Sequence, residues 1–159
     1  MIKAETNFES PLGTVYVEGD DKGISQIKLF DKEELIEAEV PEILQEAVKQ
    51  LKAYFSGELR KFNLKLNPSG TDFQKEVWNT LAEIPYGSSR TYQQIADQIG
   101  NPKAIRAVAA ANGKNPLWIV IPCHRVIGKD GALTGYAGGI WRKKWLLEHE
   151  SGLTQPSLF

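Results

Sequence analysis

The stretch that decides the fold of the second half of the chain is TYQQIADQIGNPKAIRAVAAANG, residues 91–113. Thr91 and Gln94 form a capping-box pattern, which predicts the start of a short helix. Gly100 predicts its end, and Asn101-Pro102 predicts the start of the next helix, with Asn as N-cap and Pro at the first helical position. Two helices joined by so short a turn have the outline of a helix-turn-helix, although many helical hairpins only pack a core.

The segments around this motif predict a mainly helical second half. A second capping-box pattern lies at 71–74, and Pro85-Tyr86-Gly87 ends the helix that it opens. The apolar run at 117–121 predicts a buried strand, which Pro122 interrupts. A glycine-rich segment then leads to an amphipathic helix at 140–149.

The first half is organised differently. Three runs rich in β-branched and aromatic residues are separated by turn residues at 10–13 and 19–23, which predicts an antiparallel meander. Residues 41–56 carry apolar side chains at helical spacing, and residues 60–70 indicate a further strand and a linker.

These patterns predict an α/β (α+β) protein. Its parts are a small N-terminal domain of antiparallel sheet plus helix (1–69), a mainly helical C-terminal domain with a helix-turn-helix (70–150), and a tail (151–159).

Composition is that of a soluble globular protein: 159 residues, 42% hydrophobic and 25% charged. No signal peptide and no apolar stretch of membrane-spanning length is evident, and a lone cysteine fits a reducing compartment, so we expect a cytoplasmic location. The net charge is −1 overall. Residues 1–69 are acidic (net −4) and residues 70–150 basic (net +3), an asymmetry that either orients the molecule toward a polyanion or arises by chance.

Cys123 is the only cysteine. A lone cysteine is commonly a small buried apolar residue. Here it follows Pro122 and precedes His124 and Arg125, and a base and a cation close to a thiol are expected to lower its pKa and raise the reactive thiolate fraction. The local sequence therefore leaves a catalytic and a structural cysteine both open.

The segment Ile121-Pro122-Cys123-His124-Arg125-Val126 resembles the active-site signature of the O6-alkylguanine-DNA alkyltransferases (methylated-DNA–protein-cysteine methyltransferases). The resemblance runs from about Asp72 to Glu150 in order. It includes Tyr92-Gln93-Gln94, the segment 101–108, Asn112–Pro116, Gly135–Gly139 and Trp145–Glu150. The first 70 residues fit only loosely, as the family's variable, ribonuclease-H-like N-terminal domain.

The resemblance implies a single-use DNA repair protein. Cys123 would take the alkyl group from guanine O6, and less efficiently from thymine O4, and would keep it. His124 would accept the thiol proton through a water, and Glu150 would orient His124. Tyr92 would donate to guanine N3. No cofactor is implied, and the N-terminal half lacks the cysteines and histidines of the zinc site that some relatives carry.

The resemblance also implies how DNA is held. The partner would be double-stranded DNA with an alkylated base, bound through the minor groove, and the base would be flipped out. The protein would bind as a monomer, and cooperative assembly on DNA stays open. Arg106 would fill the gap in the stack, and Ala104, Ala107 and Ala111 would let the recognition helix approach closely. The substrate pocket would involve the residues Val126, Tyr136, Ala137, Asn115 and Arg125.

Three other interpretations stay open from the sequence. A non-catalytic relative that only binds alkylated DNA would replace the cysteine, and Cys123 is intact. A cysteine hydrolase would use Cys123 and His124 but leaves the helix-turn-helix outline and Arg106 unexplained. A DNA-binding regulator would not need the Pro-Cys-His-Arg sequence.

Overall fold

A computed structural model describes residues 3–152 of the chain. These residues form two compact units, one made of 3–69 with Pro116–Trp118 and the other of 70–115 with 119–152. The predicted α/β class is confirmed. From residue 153 onward, the predicted tail lies outside the described residues. Among the described helices, none combines the length and the apolar character that crossing a bilayer requires.

The first unit is an antiparallel meander covered by one helix. Strands β1 (Ala4–Ser10), β2 (Gly13–Asp20) and β3 (Gly23–Phe30) pair in that order, as the turn signals predicted. Helix α1 (Glu42–Phe55) packs on all three strands. The core is formed by apolar side chains of one sheet face and one helix face: Phe8, Val15, Val17, Ile27, Leu29, Leu44, Val48, Leu51 and Tyr54.

Two segments predicted as strands are not strands in the structure. Within 60–70, only Leu66 forms an isolated bridge, to Ile24. Within 117–121, only Leu117 forms one, to Ile27, and Ile119 has a φ of 76°. A left-handed residue cannot continue an extended strand, so the apolar run forms a turn in which Leu117 and Ile119 are buried without a ladder.

The second unit is built from helices α2 (Asp72–Leu81), α3 (Tyr92–Ile99), α4 (Ile105–Gly113) and α5 (Ile140–Ser151). Both predicted capping boxes are confirmed, because each Thr side chain accepts from the N3 amide and each Gln side chain accepts in return from the N-cap amide. Helices α2, α3 and α4 pack on one another. The indole Nε1 of Trp78 donates to the Ala111 carbonyl at 2.8 Å and fixes α2 against α4.

The second helix of the helix-turn-helix begins later than predicted. Helix α4 starts at Ile105, and residues 101–104 form a turn in which the Ala104 amide donates to the Asn101 carbonyl at 2.9 Å. The Asn101 amide donates to the Ala96 carbonyl in the preceding helix, which ends at the left-handed Gly100. Asn101 therefore helps to end α3 and does not cap α4.

A two-residue parallel ladder joins the segment before α3 to the segment after Cys123. Strand β4 (Arg90–Thr91) pairs with β5 (Val126–Ile127), with Arg90 opposite Val126. Tyr92 directly follows β4, and the turn that begins at Cys123 directly precedes β5. Since the paired strands run in the same direction, α3 leaves the ladder at its Ile127 end, and the Cys123 turn enters it at its Val126 end. The ladder therefore ties the start of α3 to the segment that follows the Cys123 turn.

Candidate active site

Cys123 opens a single 3₁₀ turn, Cys123–Arg125, and its side chain is buried. The Asn115 side-chain amide donates to the Ile121 carbonyl at 2.8 Å, which braces the backbone that leads into this turn. Asn115 also hydrogen-bonds to the thiol and favours its ionised form. Asn115 therefore lies behind the sulfur as a support of the turn.

The expectation of a lowered thiol pKa is wrong for the DNA-free protein. Burial raises the pKa of the Cys123 thiol to about 11, and Asn115 and the charge of Lys143 oppose this rise only in part. The reason is that an ion loses most of its hydration in a buried site. At neutral pH the thiol is protonated, and a reaction at sulfur needs a base to take the proton.

His124 and Glu150 supply such a base. His124 Nε2 lies 2.7 Å from Glu150 Oε2, and both side chains are buried. Although burial alone would raise it, hydrogen bonds and charge from His124 and Arg125 hold the pKa of Glu150 well below its usual range. An ionised carboxylate only accepts hydrogen bonds, so His124 carries its proton on Nε2.

The other ring nitrogen of His124 is then the proton acceptor. Nδ1 is buried and has no hydrogen-bond partner among residues 3–152. Burial lowers the pKa of His124, although Glu150 opposes this shift. Because the pKa is lowered, the ring is neutral at pH 7. The arrangement is a neutral base beside a buried thiol, oriented by a carboxylate.

Arg125 does not fit the pocket role expected from the sequence. Its Nε and Nη2 donate to the two oxygens of Glu150 at 2.7 and 3.0 Å, and Nη1 donates to the Ile84 carbonyl at 2.7 Å. The guanidinium is buried and held by these bonds, so it is not available to a substrate. Arg125 fixes the carboxylate that fixes His124.

Two tyrosines lie near the thiol. The Tyr92 hydroxyl donates to the Thr134 carbonyl at 3.3 Å, and Tyr92 is half-buried. Tyr136 is buried, and for both residues burial and the Cys123 charge raise the pKa of the phenol. Val126 is fully buried directly after the Cys123 turn, and Ala137 is exposed in the glycine-rich segment. Both tyrosines are therefore close enough to Cys123 for the charge of its thiolate to raise the pKa of their phenols.

The helix predicted to meet DNA presents some of the expected residues. Arg106 and Ala107 are exposed, and Ala104 is partly exposed just before the helix. Ala111 is buried, with its carbonyl bonded to Trp78, so the expectation that Ala111 contacts DNA is wrong. Ala109 and Ala110 are the exposed small residues instead, because the helix turns its Val108 and Ala111 side to the core.

The sequence reasoning missed Lys143. Its side chain is fully buried, and its ammonium donates to the Thr134 carbonyl at 2.8 Å. Burial lowers its pKa to about 8, opposed by the Cys123 charge. A signal was present, because Lys143 stands three residues before Leu146 and seven before Glu150, on one face of α5.

Comparison with known proteins identifies the family of this site. A family model described as 6-O-methylguanine DNA methyltransferase, DNA binding domain, matches residues 72–152, and the ribonuclease-like domain of the same methyltransferase matches residues 4–68. The chain belongs to the 6-O-methylguanine DNA methyltransferase family. Together the two matches cover nearly all of both structural units.

Individual members of the 6-O-methylguanine DNA methyltransferase family agree. The methylated-DNA–protein-cysteine methyltransferase of Methanosarcina acetivorans is 52% identical over 90% of this chain and 95% of its own length. The crystal structure of Mycobacterium tuberculosis O6-methylguanine methyltransferase has a TM-score of 0.85 at 42% identity, covering 99% of both chains. M. tuberculosis OGT in complex with DNA has a TM-score of 0.84 at 46% identity, covering 93% of this chain and 92% of that chain. Membership makes this chain a transferase of the methylated-DNA–protein-cysteine type.

Proposed function

We propose that the chain repairs DNA by moving an alkyl group from guanine O6 to the sulfur of its own Cys123. The observation that carries this proposal is the buried Cys123 in one turn with a His124 whose Nε2 is held by Glu150. That arrangement supplies a nucleophile and a base in a chain whose relatives are named methylated-DNA–protein-cysteine methyltransferases.

The chemistry balances with these residues. The thiol proton passes through a water to His124 Nδ1, and the sulfur attacks the alkyl carbon. The carbon–oxygen bond breaks, and its electron pair stays on the guanine oxygen. With the thiol pKa at about 11, only about one thiol in 10⁴ is ionised at pH 7, so the base is needed in this step.

Tyr92 acts on the leaving group. Its hydroxyl, close enough to Cys123 for the thiolate charge to raise its pKa, donates to guanine N3 as negative charge develops on the expelled base. The thioether left on Cys123 is a poor leaving group, so the alkyl group stays and each molecule reacts once. Thymine alkylated at O4 presents similar chemistry and is a poorer substrate.

DNA is bound as a duplex through its minor groove by a monomer, and the damaged nucleotide is flipped into the site because its alkyl carbon is out of reach in the stack. Arg106, exposed on α4, occupies the vacated position, and Ala107, Ala109 and Ala110 allow close approach. The structural similarity to M. tuberculosis OGT, which was crystallised in complex with DNA, supports a DNA partner. Phosphate contacts make the affinity strongly salt-dependent.

Intact-mass spectrometry tests the proposal. The protein is mixed with duplex DNA that contains O6-methylguanine, and a gain of one methyl per molecule, mapped to Cys123, is the expected result. Cys123→Ala should show no gain while still binding the DNA. Tight binding by the wild type without a mass gain would overturn the proposal in favour of a binding protein.

A further inference from the structure

Arg142, in the first turn of α5, is a buried cation that the proposed chemistry does not use. Only 6% of Arg142 is exposed, although a charged side chain loses hydration on burial and is rarely buried without partners. Its Nη1 donates to the Gly138 carbonyl at 2.9 Å. The guanidinium is therefore held against the glycine-rich segment that precedes α5.

The indole of Trp141 covers this guanidinium. The guanidinium carbon of Arg142 lies 4.6 Å from the centre of the Trp141 ring, a cation–π distance. Because Trp141 is 54% exposed and Arg142 is buried, the indole lies on the solvent side of the cation. A Cβ on Gly139 would lie 3.3 Å from Trp141 Cδ1, so the same indole packs closely on Gly139. The indole thus keeps water from the Arg142–Gly138 bond, which strengthens that bond.

Backbone hydrogen bonds extend this connection to Tyr136. The Gly139 amide donates to the Tyr136 carbonyl at 2.9 Å, and the Gly139 carbonyl accepts from the Arg142 amide at 3.2 Å. Residues 136–139 are therefore tied to α5 through the backbone and through the Arg142 side chain. The glycines of this segment give it little stiffness of its own, so these bonds determine how firmly it is held.

The segment 136–139 borders the thiol through Tyr136. Burial raises the pKa of the buried Tyr136 phenol, the Cys123 charge raises it further, and the Arg142 charge opposes the rise. Tyr136 therefore lies within electrostatic reach of both groups. The carbon that is transferred must touch the sulfur, so a larger alkyl group extends from Cys123 toward such neighbours.

We propose that Arg142 is a positioning residue that sets the preference for alkyl size: through the Gly138 carbonyl, and under the cover of Trp141, it holds the segment 136–139 in place and limits the space beside Cys123. The inference rests on the proposed function. A segment that is held orients a small alkyl group closely for attack. A segment that is released makes room for a large group and orients a small one less well.

A comparison of two alkyl groups tests this role. Single-turnover rate constants are measured on one duplex sequence that carries either O6-methylguanine or O6-benzylguanine. In Arg142→Met the ratio of the benzyl to the methyl rate constant should rise about threefold or more over that of the wild type. A general loss of stability would lower both rate constants and leave their ratio unchanged. The matched control is Lys144→Met, which removes one positive charge from an exposed side chain of α5 and should not change the ratio.

Two further variants test whether Arg142 acts through the contacts described. Trp141→Ala uncovers the guanidinium and should raise the ratio in the same direction by a smaller factor. In the Arg142→Met background, Trp141→Ala should raise it little further, because the cation that the indole covers is gone. Arg142→Lys keeps a cationic donor for the Gly138 carbonyl and should return the ratio part of the way to the wild-type value.

Hydrogen–deuterium exchange measures how firmly the segment is held without any alkyl transfer. The Gly139 amide should exchange about tenfold faster or more in Arg142→Met than in the wild type, and at the wild-type rate in Lys144→Met. Far-ultraviolet circular dichroism identifies a variant that fails to fold. If Arg142→Met does so, Trp141→Ala and Arg142→Lys provide the same comparisons.

The possible results separate the inference from the proposed function. An unchanged rate ratio in folded Arg142→Met overturns the inference, and so does unchanged exchange at the Gly139 amide. In either case methyl transfer by the wild type leaves the proposed function standing. If the wild type transfers neither alkyl group, the proposed function fails, and the size preference fails with it.

Discussion

Glu150 holds His124 and Arg125 at the same time: Oε2 lies 2.7 Å from His124 Nε2, and Oε1 lies 2.7 Å from Arg125 Nε. One carboxylate from the end of α5 thus fixes both residues that follow Cys123 in the chain. Burial of all three side chains makes these bonds strong and makes the loss of any partner expensive.

Replacing Glu150 should damage both rate and stability. In Glu150→Gln the side-chain amide no longer compels the proton to stay on His124 Nε2, so alkyl transfer should slow by about two orders of magnitude or more. Arg125 loses its counter-charge, so the free energy of unfolding should fall by about 3 kcal/mol. Stopped-flow transfer kinetics and urea denaturation measure the two effects.

The matched control is Glu148→Gln, two residues earlier on α5 and only partly buried. Glu148→Gln should change neither the rate of alkyl transfer nor the free energy of unfolding measurably. Equal rates for wild type and Glu150→Gln would contradict the orienting role of Glu150.

Stability should fall as the solution is acidified. The folded protein holds the pKa of His124 below 6.5, its value in the unfolded chain, so below pH 6.5 the unfolded chain takes up a proton that the folded chain does not. The pKa of Glu150 is lowered in the folded protein, although burial opposes this shift. Below about pH 4.5 the unfolded chain therefore protonates this carboxylate while the folded chain keeps it ionised. Each effect removes stability by up to about 1.4 kcal/mol per pH unit.

Urea denaturation from pH 7 to pH 3 checks this dependence. The stability difference between wild type and Glu150→Gln should narrow below pH 4.5, where the contribution of the carboxylate is lost. A difference that stays constant down to pH 3 would show that the pKa of Glu150 is not depressed in the folded state.

Arg106→Ala should separate base flipping in duplex DNA from the alkyl-transfer reaction at the thiol. The exposed Arg106 lies on α4, outside the bonds that hold Cys123 and His124. Transfer from duplex O6-methylguanine should slow by about tenfold or more, whereas reaction with free O6-benzylguanine should be nearly unchanged. Lys75→Ala, an exposed cation on α2, is the control for loss of charge alone. An equal loss on both substrates would remove the role of Arg106 in base flipping.

Gly70 should be required for the packing of Trp78. A Cβ at Gly70 would lie 2.5 Å from the Trp78 ring, which is buried and bonded to α4. Gly70→Ala is therefore expected to lower the free energy of unfolding by about 1–3 kcal/mol. Gly113→Ala, where a Cβ meets nothing within 4 Å at the end of α4, should be neutral or slightly stabilising. Equal stabilities in thermal denaturation would contradict the close contact.

Local signals in the sequence were accurate wherever the physics is local. The capping boxes at Thr71 and Thr91 and the stop at Gly100 depend on hydrogen bonds within one or two turns, and each was predicted and found. The meander was predicted for the same reason, because turn residues and alternation lie within 30 residues. The strand predicted at 117–121 was wrong because a buried turn and a buried strand produce the same continuous run of apolar residues.

By itself the sequence determined the α/β class, the helix-turn-helix outline and, through its ordered motifs, the family to which the chain belongs. Only the tertiary structure decided that burial raises the Cys123 pKa, that Arg125 serves Glu150, that Ala111 faces the core, and that Lys143 shares a carbonyl with Tyr92. The physical reason is that ionisation and hydrogen bonding in a buried site depend on solvent exclusion and on groups brought together from distant segments. Residue spacing along the chain contains no measure of either.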